Sequence, residues 1–122
     1  MSRARIALGK TGEDLACREL ARRGYAILAR RYRLRGGELD IVARDGRTLV
    51  FVEVKARQDQ AFGRAAEAVG IIKQRRLARL AQQYVARHRL VDRPCRFDVV
   101  SIDLESGRPA IEVFQSAFDV SF

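Results

Sequence analysis

Between Glu38 and Lys55 the chain reads ELDIVARDGRTLVFVEVK, and this stretch constrains the fold more than any other. Two alternating runs flank Asp45-Gly46, a dipeptide that favours the tight turn of a β-hairpin. With Asp45 and Gly46 as the loop, Arg44 pairs with Arg47, Asp40 lies opposite Phe51, and Glu38 lies opposite Glu53. Side chains alternate with period two. One face then carries Glu38, Asp40, Val42, Leu49, Phe51, Glu53 and Lys55. The other carries Leu39, Ile41, Ala43, Val50, Val52 and Val54, is wholly apolar, and must meet a core. A loop of odd length would reverse the parity and scatter the acidic residues over both faces.

The first face is the chemically informative one. Asp40 and Glu53 are diagonal neighbours on it, close enough to share a small ligand. Two carboxylates at that spacing repel unless a positive charge lies between them. Hard oxygen donors suit Mg²⁺ or Mn²⁺ rather than zinc. Lys55, two residues beyond Glu53, is placed to orient water and to meet the charge that develops in phosphodiester hydrolysis. An exposed hairpin can also carry alternating charges with no function. Val42, Leu49 and Phe51 on the same face argue for a site over a wet surface.

The rest of the chain surrounds this hairpin with a helix and a strand before it and a helix and two strands after it. Residues 4–23 read as a helix that Gly24 ends, and 25–34 as a strand broken off at Gly36-Gly37. A loop at 56–64 has the composition of a lid over the site. A long helix is expected over 65–89, with Val69, Leu77, Leu80 and Tyr84 on one stripe. Strands follow at 96–104 and 110–115. The order is α-β-β-β-α-β with one further C-terminal strand. No linker or repeat divides the chain, so residues 1–122 form one domain, the ordinary size for a single core.

Glu13 breaks the pattern of the first helix. At 100° per residue it falls among Ile6, Gly9, Ala16, Cys17 and Leu20, in the middle of the apolar stripe. A carboxylate there must be paired, protonated or bound to a cation, because an isolated buried charge is very costly.

Lys plus Arg number 24 against 15 Asp plus Glu, a formal net charge of +9. Such an excess favours polyanionic partners, nucleic acid above all. Arg30, Arg31, Arg33 and Arg35, with Arg57, Arg64, Arg75 and Arg76, are candidates to line a phosphate track. A single histidine and two isolated cysteines, Cys17 and Cys95, leave no Cys/His zinc site. The cysteines read as buried small hydrophobes. No run approaches the roughly 20 apolar residues that span a bilayer, and the basic N-terminus lacks an apolar signal core. A cytoplasmic protein is therefore expected.

At these residues the chain resembles a known family. The stretches GKTGEDLA (9–16), GYAILARRYR (24–33), GGELDIVARDG (36–46), LVFVEVKAR (49–57), FGRAAEAV (62–69), KQRRL (73–77) and RFDVVSID (96–103) match the YraN-like bacterial proteins in order and spacing. That family in turn resembles the restriction-endonuclease-like, PD-(D/E)xK superfamily, and within it the archaeal Holliday-junction resolvases. The resemblance implies an α/β fold with a core of order α-β-β-β-α-β, its mixed sheet flanked by helices. It implies Asp40 as the hairpin aspartate, Glu53-Val54-Lys55 as the E-x-K motif, and Glu13 as the additional ligand of the resolvase branch. Leu39 stands where the motif name has proline. It also implies that Lys73 or Gln74, on the second long helix, reaches the phosphate.

The resulting expectation is a Mg²⁺- or Mn²⁺-dependent DNA endonuclease, acting on branched DNA if the resolvase likeness holds. Asp40, Glu53 and Glu13 would hold the metal and Lys55 would serve the water. Arg31, Arg33, Arg35, Arg57, Lys73 and Arg76 would contact nucleic acid. The competing expectation is a nucleic-acid-binding or protein-interaction module that kept the fold with little turnover. A homodimer is a third expectation, with Phe114, Phe118 and Phe122 either at its interface or in the core. Asp98 and Asp103 read as structural, and His88 as outside the chemistry.

Overall fold

The computed structural model describes residues 3–57, 69–104 and 108–119, with side chains from Lys10 through Ala56 in the first of these stretches. The loop at 58–64, Arg64, Phe122 and the Arg57 side chain lie outside the described residues. The elements are α1 (Arg3–Arg22), β1 (Ala26–Leu34), β2 (Gly37–Asp45), β3 (Thr48–Arg57), α2 (Ile71–Arg87), β4 (Cys95–Asp103) and β5 (Ala110–Phe114). Their order is the one the sequence predicts.

The strands form one five-stranded sheet in chain order, β1 to β5. β3 and β4 run parallel, with α2 in the connection between them, and the other neighbours are antiparallel. The sheet is buried on both faces. Ala16 and Leu20 of α1 pack with Tyr25, Ile41, Ala43, Val50, Val52, Val100 and Ile102. Leu77, Leu80, Ala81, Tyr84 and Val85 of α2 pack on the opposite face with Val42, Leu49, Phe51, Phe97 and Val99. Each helix covers one apolar face, which a mixed sheet with a crossover helix requires.

Local chemistry sets the helix ends. At the end of α1, Gly24 has φ +95°, the Tyr25 N–H donates to the Leu20 carbonyl at 3.0 Å, and the Gly24 N–H donates to Ala21 at 3.0 Å. This is a Schellman close. α2 begins later than the expected position 65. Gly70 is its N-cap in extended conformation (φ −68°, ψ 165°), so Val69 is buried ahead of the helix and not on its stripe. Glycine loses the most entropy on entering a helix, which favours starting the helix after it. The Gln74 side-chain amide donates to the Val69 carbonyl at 2.8 Å. Gln74 is thus occupied in holding the helix start.

The hairpin register differs from the expectation by two residues. Asp45 pairs with Thr48 and Ile41 with Val52, so the loop is Gly46-Arg47. Gly46 has φ +61° and Arg47 is not among the positive-φ residues, the pattern of a type II′ turn with glycine at its first central position. An even shift preserves parity, so Val42, Leu49 and Phe51 still share a face.

A second difference lies at Asp40. Leu39 joins Val42 in the α2-side core instead of joining Ile41 and Ala43 on the α1 side. The alternation therefore slips by one residue at Asp40. Its neighbour across the β1–β2 ladder is Arg31, at φ +48°, between the retained pairs Arg30–Ile41 and Tyr32–Leu39. A left-handed residue inside a strand turns the chain, and both strands pass through the slip together.

The cysteines are free and half-buried rather than fully buried, Cys17 against the α1-side core and Cys95 against the other. Burial pushes both thiols up, so they are poor nucleophiles. Phe114 and Phe118 pack against the α2-side core, Phe118 with its ring 5.0 Å from that of Phe97. Among the described residues, no helix is long and apolar enough to cross a membrane.

Candidate metal and phosphodiester site

The site lies where β2 and β3 part. Their paired register ends at Ile41–Val52. Continued, it would next offer the Leu39 carbonyl to the Val54 N–H. Instead the Val54 N–H donates to Asp40 Oδ2 at 2.9 Å. The Asp40 carboxylate is thereby drawn into the opening between the strands, where it can meet groups from both layers.

On the α1 side it meets Glu13 and Glu38. One carboxylate oxygen from each of Glu13, Glu38 and Asp40 lies within 4.8 Å of the others. Glu13 is held there by a close helix–strand contact. A Cβ on Gly12 would lie 2.6 Å from the Ala56 Cβ, so only glycine lets α1 approach β3 this closely. Glu13 is 8% exposed and accepts a hydrogen bond from Arg31 Nε. The left-handed Arg31 therefore pairs with the acid that interrupts the apolar stripe of α1.

On the α2 side stands Glu53, also 8% exposed. Its Oε1 lies 2.6 Å from Lys73 Nζ and 3.8 Å from Lys55 Nζ. Asp40 and Glu53 line one small cavity with Leu39, Phe51, Val52, Leu77 and Phe97. Burial, reinforced by the Glu53 charge, raises the Asp40 carboxyl from 3.8 to about 7. Burial and the adjacent Lys73 ammonium push the Lys55 amine down. Burial works against the Lys73 ammonium too, but its hydrogen bonds to Glu53 and Lys55 and the charges of Glu53 and Asp40 together outweigh this and hold it above the ordinary lysine value.

The four residues expected at the site thus stand around one opening: Glu13 on α1, Asp40 on β2, and Glu53 and Lys55 on β3. Two partners were not assigned to it from sequence. Glu38 lies on the strand face that the hairpin pattern identifies, and its place beside Glu13 follows from the slip at Asp40. Lys73, expected to reach phosphate, reaches Glu53. Of the candidate arginines, Arg31 pairs with Glu13, Arg30 with Asp14 at 2.5 Å, and Arg33 with Glu38 at 3.5 Å. Arg35, Arg75 and Arg76 are exposed.

The donor set fits a hard divalent cation. It offers oxygens of Glu13, Glu38 and Asp40 within 4.8 Å of one another, with Glu53 outside that group on the α2 side, and burial together with the Glu53 charge raises the Asp40 carboxyl. Asp98 is an acid of another kind. It is fully buried and accepts from Arg96 Nε at 2.9 Å, Tyr25 Oη at 3.0 Å and the Ser116 N–H at 3.0 Å. These bonds tie the residue ahead of β1, β4 and the segment after β5 together. His88 lies within 3.0 Å of Tyr32 Oη at the far end of α2, the end opposite Lys73.

The family model described as uncharacterised protein family UPF0102 matches residues 12–102. A UPF0102 protein of Geobacter metallireducens is 45% identical over 122 residues, all of both chains. One of Symbiobacterium thermophilum is 48% identical over 112 residues, 91% of this chain and 95% of that one. One of Anaeromyxobacter dehalogenans is 46% identical over 115 residues, 94% of this chain and 86% of that one.

Proposed function

The chain belongs to the uncharacterised protein family UPF0102, and from that premise and the geometry at Asp40 we propose a divalent-metal-dependent endonuclease that hydrolyses phosphodiester bonds in DNA. The fold reading that goes with it is the restriction-endonuclease-like core of order α-β-β-β-α-β. The observation that carries the proposal is the convergence of Glu13, Asp40, Glu53 and Lys55 on the opening between β2 and β3.

Asp40, Glu53 and Glu13 would hold Mg²⁺ or Mn²⁺, with Glu38 in reach. When bound, the ion supplies charge neutralisation at the phosphate and acidifies water. The remaining chemistry belongs to the chain. Lys55 orients the attacking water and donates to the phosphoryl oxygens as negative charge builds on them. Burial and the Lys73 ammonium hold its amine below the ordinary lysine value, the direction that eases proton exchange. Asp40 is fixed by the Val54 amide, so its carboxylate needs little reorganisation. The net charge of +9, with Arg35, Arg75 and Arg76 exposed, supports a nucleic-acid partner through the backbone phosphates.

One observation favours a second reading, a nucleic-acid-binding or protein-interaction module with little turnover. Glu13 and Glu53 each carry an internal cation, Arg31 and Lys73. A site balanced by its own side chains can persist without metal. The two readings separate in one assay. Purified protein is incubated with duplex, single-stranded, flap and four-way-junction DNA in Mg²⁺ or Mn²⁺, beside Asp40→Asn. The nuclease reading expects cleavage of at least one substrate and none by the variant. Salt-dependent binding with no product in any lane leaves the module reading.

A further inference from the structure

Lys73 stands in the first turn of α2, the end of a helix where a cation is disfavoured by the aligned peptide dipoles. That turn has no acidic residue, and its Gly70 cap supplies no side-chain hydrogen bond. The ammonium is stabilised from outside the helix, by Glu53 Oε1 at 2.6 Å, the same oxygen that Lys55 approaches at 3.8 Å. Glu53 is 8% exposed, so its charge needs a partner at all times. A divalent cation coordinated through that oxygen would be repelled by an ammonium held at hydrogen-bond distance from it.

We propose that Lys73 is the internal counter-ion of Glu53, exchanging with the divalent metal for one carboxylate, and that this exchange weakens and thereby regulates metal loading. The inference rests on reading Glu53 as a metal ligand. It assigns Lys73 a positioning role distinct from phosphate binding. In the metal-free protein Lys73 keeps the buried Glu53 paired and correctly placed. On loading, the ammonium withdraws on its flexible stem toward solvent, which its 29% side-chain exposure allows. Lys55 remains beside Glu53. Arg31 differs from Lys73 in lying at Glu13, across the opening on the α1 side.

Mn²⁺ titration without DNA, followed by the electron paramagnetic resonance signal of the free ion, tests this directly. The proteins are wild type, Lys73→Met, Lys73→Gln, Lys73→Arg, Glu53→Gln and Asp40→Asn, each checked for fold by circular dichroism. Lys73→Met keeps the apolar stem and removes the charge. It should bind Mn²⁺ tighter than wild type, on the order of tenfold, because a positive charge beside the site is gone. Lys73→Gln should also tighten binding and serves if the Met variant does not fold. Lys73→Arg should bind as wild type does, since it restores the competing charge. A merely structural lysine would give no tightening. Neutral variants that bind no tighter than wild type, while Glu53→Gln and Asp40→Asn lose binding, overturn the counter-ion role and leave the metal reading standing. Wild type and every variant binding Mn²⁺ equally poorly overturns both.

Discussion

Asp40 Oδ2 accepts the Val54 N–H at 2.9 Å, a side chain in the place of a main-chain partner, just where the β2–β3 ladder stops. This bond opens the sheet at the site and holds a carboxylate in the gap. The surrounding arrangement follows from it. β2 delivers Asp40 to the opening, β3 delivers Glu53 and Lys55, and the slip at Asp40 brings Glu38 to Glu13.

The Asp40 carboxyl destabilises the metal-free fold at neutral pH. Burial and then the Glu53 charge raise it from 3.8 to about 7. Between those values the folded chain holds a proton that the unfolded chain has released. Its favourable contribution is full below about pH 4 and is lost as pH rises through 7. Asparagine keeps an acceptor for the Val54 N–H and removes the charge. In EDTA at pH 8, Asp40→Asn should melt on the order of 10 °C above wild type, with the gap closing by pH 4. Thermal melts by circular dichroism at the two pH values check this, and a variant that melts below wild type at pH 8 counts against it.

The same proton must leave when metal enters. Apparent Mn²⁺ affinity should rise about tenfold per pH unit up to 7 and flatten above it. Titration calorimetry from pH 5.5 to 8 in two buffers of different ionisation enthalpy would also show the released proton. A flat profile would separate Asp40 from the metal.

Lys55 should matter to turnover and little to binding. On a substrate that wild type cleaves, Lys55→Ala should lower the single-turnover rate by about 10²-fold or more while DNA affinity changes by less than about threefold. Lys55→Arg should not rescue, because a guanidinium cannot exchange a proton near neutrality. Equal losses in rate and affinity would place Lys55 among the phosphate contacts instead.

The packing of α1 on β3 sets the position of Glu13. Gly12→Ala puts a methyl group 2.6 Å from the Ala56 Cβ and forces the two backbones apart. It should cost about 1–3 kcal/mol in stability by urea denaturation and weaken Mn²⁺ binding. Ala56→Gly in the same chain removes the clash and should recover most of both losses. A double variant no better than Gly12→Ala would mean that the contact is not the cause.

Asp98 should affect the fold alone. It is fully buried against Arg96, Tyr25 and the Ser116 amide, so Asp98→Ala leaves Arg96 without its closest carboxylate partner. About 3–5 kcal/mol of stability should be lost, while folded protein binds Mn²⁺ as wild type does. A selective loss of metal binding at unchanged stability would contradict this separation.

The sequence determined the element order and the sheet faces from Ile41 to Asp45 and from Leu49 onward, because period-two alternation and turn glycines act locally. It also singled out Glu13, Asp40, Glu53 and Lys55, because a carboxylate in an apolar stripe and acids on a half-apolar strand face conflict with the burial around them. Tertiary structure decided what local rules leave degenerate. The loop moved to Gly46-Arg47 because one glycine can serve more than one turn type. α2 started after Gly70, where capping outweighs a stripe continued back to Val69. The left-handed Arg31 moved Leu39 to the other face and brought Glu38 to Glu13, an outcome of pairing two strands rather than of either alone. The partners of Glu53 and Glu13, Lys73 and Arg31, lie on other elements, and only the packing of helix and sheet brings their charges together.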